Sequence, residues 1–468
     1  MKIDARITNL GKLKDGLIKI RPITLLTGPN GTGKSFVTKS LYSIFNVVNR
    51  NVYHVDLIAS IALCRVQLDV FMSQLAYPGQ QDHQKIDHIR QAVDGIQTQL
   101  NQAAIELSLE DYLSYTKSVV ASIDEISVYF AKYLESLTSR PKKKSSVKKH
   151  SKYVAEIFKK IKNKLENGKD NYISSLTKSL GNEIADNFQV SDLSQLVSFG
   201  EKEARIEVDE FVHIEFGKLG VSFSLQHDFI NTVSSLSRVV FFESPAYWKV
   251  RDALKSAKEL AAFPFFLRNK KKSKLIGVPK YFYDLDAALT EHAKKESLTE
   301  VEDLTAALER EIGGEFIFSR NELVFKDHHA NREIPKNLIS FGMTNLGMIH
   351  SLLKNNVITP GSFVFIDEPE TNLHPTWQVL LMDVLVKLAE RKVNIVLATH
   401  SIDMIKALEV GLSERSREDN DFISVHYFDI DGTLFEFESQ SPSQQLIEAK
   451  DELSSSYEAL FFRGKNSD

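Results

Sequence analysis

The sequence predicts an α/β protein, a mixed sheet flanked by helices and interrupted by a large α-helical insertion. Three observations lead there. A mostly apolar run, Ile23 to Leu26, enters the glycine-rich stretch GPNGTGKS at 28 to 35, and the helix-like VTKSLYSIF follows. A second apolar run, Phe363 to Ile366, ends in the acidic pair Asp367 and Glu368. Between them, from 51 to 199, glycine becomes rare and apolar residues recur at steps of three and four, as in Ile96, Leu100, Ala103 and Leu107. The expected organisation is a head made of 1–50 and 200–468, with a smaller helical insertion at about 246–312, and a helical arm over 51–199.

Residues 2 to 27 read as two or three short strands. Ile3, Ala5 and Ile7 alternate with polar residues, Asn9 to Lys14 makes a turn, and Pro22 precedes the strand that enters the glycine loop. Gly28, Gly33, Lys34 and Ser35 fit the spacing G-x-x-x-x-G-K-[ST]. Glycines at 28, 31 and 33 take backbone angles closed to other residues, so successive N–H groups turn inward and cradle phosphate oxygens at a helix N-terminus. The candidate nucleotide-binding residues here are Asn30, Gly31, Gly33, Lys34 and Ser35. Lys34 is expected to reach the β- and γ-phosphates, and the Ser35 hydroxyl to sit on Mg²⁺. Binding of a nucleoside triphosphate with Mg²⁺ follows as the first functional expectation.

Segments such as IASIALCRVQLDVFMSQL and YTKSVVASIDEISVYFAKYLESL read as long amphipathic helices without a strict heptad, so a short helical arm is expected rather than a long coiled coil. Inside the arm lies SRPKKKSSVKKHSK, and a second basic run, RNKKKSK, follows at 268 to 274. Lys142–Lys149 and Arg268–Lys274 are candidate contacts to a nucleic-acid backbone, and equally plain solvated loops. Residues 204 to 225 alternate as a β-meander turning at Gly217 and Gly220. Val239 to Phe242 reads as a buried strand ending at Glu243, from which a loop could place a group that senses the γ-phosphate or water. Residues 250 to 312 return to helical texture, and Phe316 to Phe325 reads as a hairpin.

The second chemical cluster begins at LISFGMTNLGMIHSLL, where Ser340 and Gly342 open a helix whose N–H groups face an anion. In GSFVFIDEPETNLHP the buried strand delivers Asp367 and Glu368 into the ligand crevice of a parallel sheet. Asp367 suits the shell of Mg²⁺, and Glu368 suits the water that attacks the γ-phosphate. A further strand, Val393 to Leu397, ends in ATHS, which puts His400 within expected reach of the γ-phosphate.

Composition narrows the classes. The 468 residues, 43% hydrophobic and 26% charged, suit a globular protein of one large or several domains. A formal net charge of −4 leaves nucleic-acid contact to local patches. The single cysteine, Cys64, excludes a disulfide framework and a cysteine zinc cluster. No apolar run approaches the roughly 20 residues needed to span a bilayer, and the first residues carry no signal-like core. A cytoplasmic, membrane-free protein is expected.

Taken in order, GPNGTGKS, SFG, FVFIDEPETNLHP and ATHS resemble the ABC-type ATPase heads of the SMC, RecF and OLD group, with DEPE followed by LHP closest to the OLD-like branch. The resemblance implies ATP and Mg²⁺ as cofactors and a homo-oligomer in which two heads sandwich two ATP molecules. Ser340 and Gly342 of one copy would close on the nucleotide held at Lys34 of the other, with Asn372 to His374 as the contact loop. Two features depart from the pattern. Met343 stands where a second glycine is usual, and no glutamine can be assigned to the loop where Glu243 to Pro245 falls. The chain after His400 is too short for a Toprim nuclease, and Asp429 and Asp431 read as a turn. The chain is similar in size and motif order to stand-alone ATPase subunits of PARIS-type and Septu-type anti-phage systems. This implies control of a separate effector, a nuclease, with the C-terminal LIEAKDELSSSYEALFFRG as a docking or packing helix. A RecF- or SMC-like ATPase acting directly on DNA is the competing class, and the energising subunit of a transporter a third.

Overall fold

The alternation at the N-terminus folds as a hairpin, β1 (Ile3–Leu10) and β2 (Leu13–Ile20), in a computed structural model of the chain. The structure describes residues 2–75, 77–138, 145–209, 212–218, 220–225, 236–243, 246–262, 277–292, 301–318, 322–417 and 419–465. Ile3, Ala5, Ile7, Ile18 and Ile20 all point to the buried side. The turn expected over 9 to 14 is tighter, because the strands pair out to Leu10 and Leu13 and Gly11 takes φ 60°.

The meander forms β4 (Glu203–Val208), β5 (Val212–Gly217) and β6 (Gly220–Leu225). It docks on the first hairpin through β1, giving an antiparallel sheet in the order β2-β1-β4-β5-β6. A second sheet contains β3 (Ile23–Thr27), β7 (Val239–Phe242), β11 (Phe363–Asp367), β12 (Asn394–Ala398) and β13 (Ile423–Tyr427), ordered β13-β3-β12-β11-β7. Every neighbouring pair in it is parallel. All residues of these strands are buried, which is why β7, the first four residues of β11 and the centre of β12 read as apolar runs, while β13 buries Ser424 and His426 among its apolar residues. The mixed character is therefore divided between separate antiparallel and parallel sheets. The expected hairpin near 316 to 325 becomes β8 (Gly314–Phe318) and β9 (Leu323–Asp327) and gains a third strand, β10 (Arg332–Pro335).

Helix α1 (Lys34–Val48) covers the parallel sheet. Its Phe45 ring stacks on Phe363 at 4.8 Å, and Tyr42 meets Phe241 edge-on at 5.3 Å. Within the described residues the insertion supplies α2 (Val52–Gln74), α3 (Gln80–Glu106), α4 (Leu109–Ser118), α5 (Val120–Thr138), α6 (Ser145–Glu166) and α7 (Gly168–Phe188). The chain divides into two compact units, Arg50–Ser179 and the remainder, so the boundary falls inside α7. Residues 180–199, expected in the arm, belong with the head. The end of α7 packs on α1, where Glu183 accepts from Asn46 at 2.7 Å and Asn187 donates to Ser43 at 2.9 Å, and beyond it Leu196 accepts the Gly11 N–H at 2.7 Å.

The helical unit has its own core, in which Leu57, Ile61, Cys64, Leu68 and Phe71 of α2 recur at helical spacing. Burial pushes the Cys64 thiol up to about 12, which leaves it a packing residue. In the head, α8 (Ala246–Lys249), α9 (Arg251–Ala262), α10 (Lys280–His292) and α11 (Glu302–Ile312) occupy the expected smaller insertion. They are followed by α12 (Phe341–Lys354), α13 (Pro375–Glu390), α14 (Ile402–Glu414) and α15 (Pro442–Lys465). The last of these packs against α14 and β13, with Leu446 and Ala449 buried. Among the described residues no helix is long and apolar enough to cross a membrane.

Candidate functional site

A parallel sheet aims all its strand ends one way, and here they deliver the expected chemistry to one edge. Gly28, Gly31 and Gly33 have φ of 131°, 76° and 109°. A Cβ at Gly28 would lie 2.3 Å from the Phe428 carbonyl, so this glycine is required by crowding as well as by angle. Gly31 has open space around it, and with Asn30 it forms the exposed lip of the loop. The Lys34 ammonium donates to the carbonyls of Gly28 at 2.8 Å and Pro29 at 2.7 Å, with the residue 5% exposed. Burial pushes its pKa down, while Glu368, Asp367 and Glu370 hold it up. One ammonium thus sits in the field of three carboxylates from the other end of the chain.

Asp367 closes β11 and is 2% exposed. Burial, reinforced by the charge of Glu243, pushes its carboxyl up to about 7, against a hydrogen bond from Ser35 and the charge of Lys39. Its Oδ1 is buried with no hydrogen-bond partner. An orphaned carboxylate oxygen beside a serine hydroxyl is a hard-oxygen pair, so the residues fit Mg²⁺. Among the described residues no group of three or more His, Cys, Asp or Glu could hold a metal ion.

Glu368 adopts φ 48°, a left-handed conformation unusual for a glutamate, fixed by its N–H donating to the Ala398 carbonyl at 2.9 Å. Glu368 is half-buried there. Two residues on, buried Glu370 accepts the His400 backbone N–H at 2.8 Å, and its Oε1 lies 3.1 Å from His400 Nδ1. His400 itself is partly exposed at the tip of β12.

Glu243, at the end of β7, pairs with Lys39 of α1 at 2.9 Å and accepts the phenol of Tyr281 from α10. Ser244 and Pro245 lie outside the described residues. Ser340 is the N-cap of α12, exposed, its Oγ accepting from Met343 N at 3.1 Å. Gly342 is buried: a Cβ there would meet Asn372 O at 2.7 Å and the Trp377 ring at 3.2 Å. Asn345 secures the same loop by donating to Pro369 O at 2.8 Å. Helix α12 is therefore clamped to the DEPETN loop of its own chain.

Asp429 and Asp431 do form a turn, Asp431 accepting from Thr433 N at 2.9 Å. Of the first basic run, residues 145–149 open α6 while Lys142–Lys144 lie outside the described residues, as does all of Arg268–Lys274.

Four contributors escaped the sequence reading. Glu370 carried a signal, as the second glutamate of DEPE two residues beyond Glu368. Lys39 carried one too, one helical turn after Ser35. Tyr281 and Asn345 carried none, because a tyrosine and an asparagine in helical texture acquire roles only through packing.

Residues 1–405 match the AAA ATPase domain family, and the chain belongs to that family. Among solved structures it is similar to the SMC head domain from Thermotoga maritima, at 11% identity and TM-score 0.34, covering 94% of this chain and 100% of that one. It is likewise similar to the Smc head domain with an extended coiled coil bound to the C-terminal domain of ScpA, derived from Pyrococcus furiosus. There the identity is 11% and the TM-score 0.38, with 93% of this chain and 95% of that chain covered. No curated protein matches the chain significantly.

Proposed function

We propose that this AAA ATPase domain protein binds and hydrolyses ATP in a composite site closed by a second copy, and that closure controls a separate effector protein. The observation that supports this reading best is the convergence of Lys34 with Asp367, Glu368 and Glu370 at one edge of the parallel sheet.

In this reading the N–H groups of the 28–33 loop and the Lys34 ammonium bind the phosphates, Lys34 exchanging its carbonyl partners for phosphate oxygens. Ser35 and Asp367 would hold Mg²⁺, which supplies charge neutralisation at the β- and γ-phosphates. Glu368, fixed in its left-handed conformation, orients and deprotonates the attacking water. Glu370 positions His400 through its backbone N–H, keeping the imidazole at the strand tip where it can donate to the γ-phosphate. Since Gly342 packs within its own chain, the contact to a partner's nucleotide falls to the exposed Ser340 and the first N–H groups of α12.

The effector is proposed to be a nuclease, and the setting anti-phage defence of the PARIS or Septu type, on the strength of motif order and the DEPE–LHP strand end. A second reading, direct action on DNA as in RecF- and SMC-like ATPases, is favoured by the lysine-rich surface of α6.

The test is Glu368→Gln, assayed for ATP binding, phosphate release and mass by light scattering with ATP and Mg²⁺. The expected result is retained binding, hydrolysis lowered by roughly 10²–10⁴-fold, and an accumulated dimer or larger assembly. Wild-type hydrolysis would move the base elsewhere, and an unchanged mass would overturn the composite site.

A further inference from the structure

We infer that the exposed face of α6 is a docking surface for the phosphate backbone of double-stranded nucleic acid. Helix α6 carries seven lysines against two glutamates. Two of them are structural: Lys162 pairs with Asp124 at 2.7 Å, and Lys164 bonds Asp56 at 2.5 Å and Ser60 at 2.8 Å. Lys148, Lys149, Lys152, Lys159 and Lys160 are all exposed, and none forms an ion pair among the described residues. Like charges one helical turn apart, such as Lys148 and Lys152, weaken a helix, so this arrangement is not explained by the stability of α6 itself.

The partner is identified by what the face offers. Its apolar side, Val154, Ile157, Phe158, Ile161 and Leu165, is at most 3% exposed in the core of the helical unit. No hydrophobic stripe is left to enter a lipid surface, as an interfacial helix requires. Protein interfaces place apolar or aromatic anchors at their centre and are depleted in lysine, whereas here the exposed face has only Tyr153, 40% exposed, among the lysines. Glu156 sits on the same face and is the one carboxylate between the two lysine groups. Five compact point charges spread over about 18 Å of helix match a row of duplex phosphates, which recur every few ångströms along each strand. The inference rests on the second reading above, direct action on DNA, and its failure is distinguishable from failure of the ATPase reading because ATP binding and hydrolysis are assayed separately.

The experiment titrates a fluorescein-labelled DNA duplex with the full chain across a salt series. Five contacts predict a slope of log affinity against log salt near −4 to −5, roughly a 500-fold loss for a fourfold rise in salt. Replacing Lys148, Lys152, Lys159 and Lys160 together by glutamine is expected to weaken binding at least about 30-fold at low salt and flatten the slope by about three to four, with ATP affinity unchanged. The matching arginine replacement retains binding and keeps the result readable if the glutamine variant fails to fold. Wild-type affinity and slope in the glutamine variant, or a near-zero slope in the wild type, would overturn the inference. So would capture of phosphatidylserine vesicles or polyglutamate in place of the duplex.

Discussion

The loop edge of the parallel sheet and the outer face of α6 both concentrate charge, and they treat it in opposite ways. At the sheet edge the Lys34 ammonium and the Asp367 and Glu370 carboxylates are buried among backbone carbonyls and neighbouring charges. Low local dielectric makes these interactions strong and little screened, so the placing of a single atom matters. On α6 the lysines stand in water, screened beyond about 8–10 Å at ordinary salt, so only their number and sign matter. On the readings proposed above, the difference separates a site for phosphate chemistry from a surface for a polyanion.

The largest expected effect tests the buried side. Lys34→Ala removes the ammonium from three carboxylates and from the phosphates together, and ATP affinity by calorimetry should fall about 100-fold or more. Affinity near wild type would place the phosphates elsewhere and dissolve the contrast. Gly28→Ala tests confinement without touching charge. With φ at 131° and Phe428 O at 2.3 Å from the added carbon, it should destabilise the chain by about 2–4 kcal/mol in urea unfolding. A neutral result would mean the loop has slack the structure does not show.

A third prediction uses pH. His426 of β13 accepts the Lys19 N–H at 3.1 Å, and burial pushes its pKa down to about 4. The unfolded histidine takes up its proton near 6.5, so the stability this residue carries is present above that pH and is lost as pH falls toward 4. Between pH 7 and pH 5 wild type should lose about 2 kcal/mol more than His426→Gln. Equal losses would show that the sheet interior is open to water. The smallest effect belongs to the exposed side: Lys152→Gln alone should change stability by no more than about 0.5 kcal/mol and flatten the salt slope for duplex binding by about one. A loss of ATP affinity in this variant would show that the two charge regimes are not separable.

How much could be read beforehand follows the same division. The glycine loop, Asp367 and Glu368 were legible because a parallel strand buried on both faces must read as a short apolar run and must end in the crevice. The helical unit was legible from spacing alone, but its end was not. The helix runs on without a break to Phe188, and contacts made only in the fold assign 180–199 to the head: Glu183 and Asn187 bond to α1, Phe188 meets Phe36, and Val197 bridges Leu10. That Gly342 lies against Asn372 and Trp377 of its own chain is a proximity no spacing encodes. The basic runs were visible as composition, yet composition could not say which lysines of α6 are spent on Asp124 and Asp56 and which are left to solvent.

By itself, then, the sequence determined the fold class, the phosphate-binding loop and the acidic strand end, because these depend on local backbone angles, burial period and residue type. Tertiary structure alone decided that Lys34 answers to Glu370 as well as to Asp367 and Glu368, and that Glu243 is tied to Lys39 and Tyr281. Those relations join residues far apart in the chain. They exist only once parallel strands have brought their ends to one edge, where burial makes each charge depend on its neighbours.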